Sequence, residues 1–226
     1  MTCFVHEGYA PMSTAAFSEA ERAAVYRVIR ERRDMRHFSG GAVPAEQLAR
    51  LLEAAHQAPS VGLMQPWRFV RVTRPALRVA IHQMVDTERE ATAVALGERA
   101  EDFMRLKVEG ILDCAELLVA ALPEGRDKHV FGRRTLPEMD LASVACAIQN
   151  MWLAARAEGL GLGWVSLFDP QALAQLLGMP SGAKPVAVLC LGPVEAFYAE
   201  PMLVEQGWSH PRPLSEMLCT DQWELP

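Results

Sequence analysis

The sequence predicts an α+β fold in a single domain spanning residues 1–226. Three observations carry this reading. Strand-like and helix-like segments are mixed without the regular alternation that a doubly wound parallel sheet requires. Two runs, Glu116–Leu122 (apolar from its second residue) and Val186–Leu191, have the near-continuous apolar character of central strands. Between them, Asp140–Glu158 carries Leu141, Val144, Ala145, Ile148, Met151, Trp152 and Ala155 on more than one face, as in a helix buried on most sides.

Taken in order, residues 1–16 read as an arm broken by Gly8, Pro11 and Ser13. Ser18 with Glu21 forms a capping box that opens a helix running to about Arg32. Val43-Pro44 opens a second helix, with Leu48, Leu51, Leu52 and Ala55 on one face and Pro59 beyond its end. Trp67–Val72 is aromatic and β-branched, hence a strand. Pro75 to about Arg105 is helical with a break near Gly97, and its charged faces mark residues 75–110 as an exposed, lid-like segment. A charged loop, Pro123–Pro137, precedes the apolar helix. Gly159, Gly161 and Gly163 lead into a strand expected at Trp164–Leu167, and Asp169-Pro170 caps a short helix ending near Gly178. Gly192-Pro193 stops the last strand, and residues 195–226 form a C-terminal extension containing Trp208, His210 and Arg212.

Composition narrows the function classes. With 226 residues, 50% hydrophobic and 22% charged, the chain is long enough to build a core without staples. A net charge of −6 argues against a general nucleic-acid surface, which needs a basic face. Five cysteines, Cys3, Cys114, Cys146, Cys190 and Cys219, show no metal-ligand spacing, and three lie in apolar runs where a thiol acts as a small hydrophobe. The six histidines show no H-x-x-x-H spacing, so no metal site is expected. Met1–Pro11 has no basic leader, and no apolar run reaches the roughly 18 residues of a membrane span. A cytoplasmic enzyme with reduced thiols is the expectation. The run Gly159-Leu160-Gly161-Leu162-Gly163 follows a helix and precedes a strand, the reverse of a dinucleotide fingerprint.

Two segments carry chemistry. Arg32-Arg33-Asp34-Met35-Arg36 packs three guanidiniums and a carboxylate into five residues at a helix end. Guanidinium forks suit a phosphate dianion. They also suit a solvated helix C-terminus. The second, Ala58-Pro59-Ser60-Val61-Gly62-Leu63-Met64-Gln65-Pro66-Trp67, supplies a hydroxyl and glycine flexibility before a strand.

Together these segments resemble the FMN-binding signature of the nitroreductase-like flavoproteins. Asp34 stands where ordinary members carry Ser, and Met64 where they carry Asn. Both departures resemble the BluB branch, which makes 5,6-dimethylbenzimidazole, the lower ligand of vitamin B12. The resemblance runs from about Phe17 to Trp223. It implies a central mixed β-sheet surrounded by helices and an intertwined homodimer with flavin at the interface. It further implies oxygen-dependent fragmentation of reduced FMN, giving the benzimidazole and erythrose 4-phosphate. FMN is then a substrate and O2 a co-substrate, with no metal and with a separate NAD(P)H–flavin reductase as one source of reduced flavin. By the same resemblance, Arg32, Arg33, Asp34, Met35, Arg36, Ser60, Gly62, Met64, Val108, Gly163, Ser166 and Arg212 meet FMN. Asp34 would move protons and Ser166 would present a hydroxyl to the flavin, while glycines such as Gly163 allow close backbone approach. The alternatives are a conventional FMN-dependent NAD(P)H nitroreductase and a non-catalytic flavin-binding protein.

Overall fold

A four-stranded sheet of order β1-β2-β4-β3, every neighbour antiparallel, forms the middle of the molecule. The computed structural model describes residues 14–223, so most of the N-terminal arm, with Gly8, Pro11, Ser13 and Cys3, lies outside the described residues. The elements are α1 (Glu19–Glu31), α2 (Ala45–His56), β1 (Arg68–Arg71), α3 (Pro75–Leu96), α4 (Ala100–Arg105) and β2 (Glu116–Leu122). They continue with α5 (Met139–Ala157), β3 (Gly161–Val165), α6 (Pro170–Leu176), β4 (Lys184–Gly192) and α7 (Met202–Glu205).

Strand alternation divides the core in two. Leu118, Ala120 and Leu122 of β2, with Ala187, Leu189 and Leu191 of β4, face α2 and α5. Leu117, Val119, Val188 and Cys190 point the other way, toward the cluster containing Ile81 and Val85 of α3 and Leu173 of α6. Both central strands are therefore apolar on both faces, which is why their sequences lack the alternation of a half-exposed strand. At about 1.5–3 kcal/mol per buried large aliphatic, these two layers dominate the favourable side of folding.

Local signals explain the boundaries. Ser18 Oγ accepts from the Glu21 amide and Ser18 N donates to Glu21 Oε2, completing the capping box. Pro75 sits in the first turn of α3, and Gly97, at φ +56°, separates α3 from α4. Asp169 caps α6 through the Ala172 amide at 2.7 Å.

Three expectations change. The third strand begins at Gly161 and ends at Val165, so Ser166 and Leu167 lie beyond it. The glycines belong inside the strand because another chain segment occupies the space of their side chains. A Cβ on Gly163 would stand 2.1 Å from the Met35 carbonyl oxygen, and one on Gly161 would meet Val194 at 2.5 Å. The long ladders are all antiparallel, and the parallel component among the described residues is the single bridge Asp34–Leu162, closed by Met35 N donating to Leu162 O at 3.0 Å. The helix α5 buries Val144, Ala147, Ile148, Met151 and Ala155, yet Leu141 near its start and Cys146 on another face are exposed in the single chain.

Replacing Gly163 by Ala should cost about 1–3 kcal/mol of overpacking, or more if the Met35 strand is dislodged. Urea denaturation of the variant checks this, and an unchanged midpoint would show that the two backbones are not in forced contact.

Candidate functional site

A cavity of about 320 Å³ opens where the end of α1, the end of β3 and the lid segment meet. Arg32, Arg33, Asp34 and Arg36 line one side, and Trp164 to Leu167 form its floor. Phe103, Leu106 and Val108 line the lid side, facing Met202, Leu203 and Trp208 near α7. One end is thus cationic and the other apolar, a shape suited to a ligand with an anionic tail and a flat apolar body.

The three arginines diverge. Arg33 is spent on the chain itself, donating to the carbonyls of Arg30 (2.8 Å), Arg32 (2.9 Å) and Ala199 (2.6 Å). Arg36 is buried, and its Nη2 donates to Asp34 Oδ2 at 2.6 Å and to the Trp164 carbonyl at 2.8 Å. Arg32 is half-buried with its guanidinium 4.6 Å from the centre of the Trp152 ring; that guanidinium makes no hydrogen bond or close ion pair with a described residue and feels Asp34 only through space. A partly desolvated cation at a cavity wall, with no carboxylate hydrogen-bonded to its fork, suits an anion.

Asp34 is held at both oxygens. Oδ1 accepts from the Trp164 amide at 2.9 Å, and Oδ2 from Arg36. Burial pushes this carboxyl above the ordinary aspartate value, while Arg36, the Trp164 amide and Arg32 pull it back without cancelling the rise. Ser166 stands just past β3 on the cavity floor, and its hydroxyl makes no hydrogen bond to a described residue.

The other sequence-derived candidates go elsewhere in this chain. Met35 is in the core, 1% exposed, against Gly161, so it contributes backbone rather than a cavity side chain. The α-carbon of Gly163 faces the Met35 carbonyl and Arg36 Nη1, so its missing side chain serves chain packing at that contact. Ser60 Oγ accepts from the Gln65 amide at 3.0 Å, and the Val61 amide donates to Ser143 Oγ at 3.1 Å. Gly62, at φ +53°, packs on Phe131. Met64 borders a separate depression with Pro123, Glu124 and His129. Arg212 is exposed and paired with Glu216 at 2.7 Å. Within one chain, Ser60, Gly62, Met64 and Arg212 therefore do not line the Asp34 cavity. Their loop nevertheless carries local strain: Leu63 and Gln65 hold φ values of +51° and +46°, at a cost of order 1–3 kcal/mol each.

Sequence reasoning missed the apolar closure. Arg99 stacks 3.5 Å from the centre of the Trp208 ring, and its Nη2 donates to the Trp208 carbonyl at 2.9 Å. Trp208 in turn packs on Phe103 of α4. Trp208 in the tail is the available signal, but its partners lie over a hundred residues earlier. No group of three His, Cys, Asp or Glu placed to hold a metal occurs among the described residues. No helix among them is long and apolar enough to cross a membrane.

Residues 29–193 match the model of the nitroreductase family. The chain is 43% identical over 184 residues to 5,6-dimethylbenzimidazole synthase of Rhodospirillum rubrum, covering 80% of this chain and 87% of that protein. It is 41% identical over 201 residues to the synthase of Rhodobacter capsulatus, covering 87% and 96%. In fold it is similar to oxidised iodotyrosine deiodinase bound to FMN and 3-iodo-L-tyrosine, with a TM-score of 0.67, 20% identity, and 88% and 98% of the two chains covered.

Trp208→Ala should free the lid, since it removes both the Arg99 stack and the Phe103 contact. Amide exchange across residues 97–108 is expected to accelerate at least about tenfold, with α2 unaffected. Equal protection in both proteins would show that the tail does not hold the lid.

Proposed function

This chain belongs to the nitroreductase family, and from that premise we propose that it makes 5,6-dimethylbenzimidazole by oxygen-dependent fragmentation of reduced FMN. The observation that carries the reading is the convergence of Asp34 and Ser166 on the cavity beside the unpaired Arg32. FMN is the substrate, O2 the co-substrate, and erythrose 4-phosphate the second product. Reducing equivalents come with the flavin, for which a separate NAD(P)H–flavin reductase is one source.

The residue roles follow from charge and geometry. Arg32 takes the phosphate, since Arg33 and Arg36 are already committed within the chain. Asp34 sits next to a ligand held there and moves protons during ring fragmentation. Ser166 orients the flavin ring by hydrogen bonding. Val108 and Trp208 cover the ring and exclude water, which strengthens every electrostatic contact inside. Ser60, Gly62, Met64 and Arg212 complete the site from a second copy of the chain, in an intertwined homodimer. Support for a second copy comes from α1, which has no buried residue and exposes Val25, Tyr26 and Ile29. Such a helix gains little from its own chain. The tail adds Leu214, Leu218 and Trp223, each at least 79% exposed.

Incubating the purified protein with reduced FMN and O2, then identifying products by mass spectrometry, tests the reading. The benzimidazole and erythrose 4-phosphate are expected. In a parallel incubation with NAD(P)H and FMN, NAD(P)H consumption with intact FMN would instead indicate a conventional nitroreductase, and intact flavin without turnover in both incubations a binding protein.

Two substitutions follow. Arg32→Ala should weaken FMN binding by about 2–5 kcal/mol while leaving riboflavin nearly unaffected, measured by titration of both. Equal losses for the two ligands would remove Arg32 from the phosphate. Asp34→Asn should lower benzimidazole formation by about 10²–10⁴. The parent's acid limb should lie above the ordinary aspartate value of 3.8, because burial raises this carboxyl and the ionised form is lost as pH falls through its pKa. A limb at the ordinary value would show that Arg36, the Trp164 amide and Arg32 cancel the effect of burial, against the rise expected here.

A further inference from the structure

Arg36 is the cavity cation bound to the carboxylate, through one arm of its fork. Its side chain is 10% exposed, against 42% for that of Asp34. One arm of the fork lies on Asp34 Oδ2 and the Trp164 carbonyl together. The other, Nη1, is buried without a hydrogen-bond partner among the described residues and faces the bare α-carbon of Gly163. Its backbone amide donates to Tyr198 Oη at 3.1 Å, and that hydroxyl lies 2.7 Å from His37 Nδ1, so the main chain is pinned as well.

We propose that Arg36 is a positioning residue: tied to the Trp164 carbonyl, it fixes the Asp34 carboxylate at the cavity wall and favours its ionised form for proton transfer. The assignment rests on the flavin reading for its purpose, though not for its geometry. The charged groups facing Asp34 are Arg36 on its own segment and Arg32 at the end of α1. From β3 it receives the Trp164 amide. The lid and α7 walls present Phe103, Val108, Met202 and Trp208, none of them titratable. Beside Arg36 on β4 lies Cys190, a fully buried thiol pushed well up by the neighbouring Cys114 and by burial, hence neutral. Arg36 is thus the charge nearest to Asp34, at 2.6 Å.

The sign of the effect is fixed. Removing a cation beside a carboxylate disfavours the ionised form, so the Asp34 midpoint must rise, and activity that needs the carboxylate must be lost at a higher pH. The test is a carbon-13 titration of the flavin-free full chain labelled at aspartate, with the Asp34 signal identified by its loss in Asp34→Asn. Arg36→Gln should raise the midpoint by about 1–3 pH units. Arg36→Lys keeps a charge but cannot span Asp34 and the Trp164 carbonyl with one planar fork, so it should rise by less. It carries the test if Arg36→Gln does not fold. An unchanged midpoint in the folded variant overturns the proposal. The acid limb of benzimidazole formation should move by the same amount, which a merely structural role would not produce. Because the titration involves no flavin, the two readings fail separately. Shifted titration in a protein that makes no benzimidazole contradicts the function and leaves Arg36 assigned; benzimidazole with an unmoved titration does the reverse.

Discussion

The seating of residues 34–36 along β3 is the constraint on which the site depends. Met35 N donates to the Leu162 carbonyl, and the Met35 carbonyl lies where a side chain at position 163 would stand. Only a residue without Cβ allows this approach. Once seated, the segment delivers the Asp34 carboxylate to the Trp164 amide and the Arg36 fork to the Trp164 carbonyl. The two side chains then satisfy each other. A glycine in a strand, usually a loss of stability, is here the condition for placing a carboxylate beside a cavity.

Charge is used in two distinct ways in this protein. At Asp140, Arg126 and Arg133 both donate to Oδ2 at 2.9 Å, and Arg133 also caps carbonyls of Arg126 and His129. That cluster is closed and pins the loop between β2 and α5. At the cavity the balance is open: Arg36 is hydrogen-bonded to Asp34, Arg33 to carbonyls, and the Arg32 guanidinium, over the face of Trp152, feels Asp34 only through space, a carboxylate already held by Arg36. A buried ion pair contributes little net stability. An unmatched, half-buried cation is costly until an anion arrives, so the same arrangement that weakens the free protein favours ligand binding.

Much of the fold was legible because its signals are local. The Ser18–Glu21 box, Pro75, Gly97 and Asp169-Pro170 all act within one turn, and Glu116–Leu122 reads as a strand because both its faces are buried. The start of β3 was not legible, because Gly161 and Gly163 read as a turn unless one knows that Met35 and Val194 fill the space above them. Chemistry was legible to the level of the segment: the arginine cluster, Asp34, Val108 and Ser166 do share a cavity. The division of labour among the arginines was not, since it is set by Trp152, Trp164 and Ala199, more than a hundred residues away. Nor could spacing reveal that the Ser60–Met64 loop and Arg212 stand apart from that cavity in one chain.

Three neighbouring arginines have three different surroundings: Arg33 staples the chain, Arg36 holds Asp34, and Arg32, in the function proposed above, meets the ligand. A crystal structure with FMN bound tests this division most directly. The phosphate is expected on Arg32 at charge-assisted hydrogen-bond distance, about 2.7–2.9 Å, with Arg36 still on Asp34 and Arg33 still on the Ala199 carbonyl. A phosphate held by Arg36, with Asp34 released into the cavity, would contradict it.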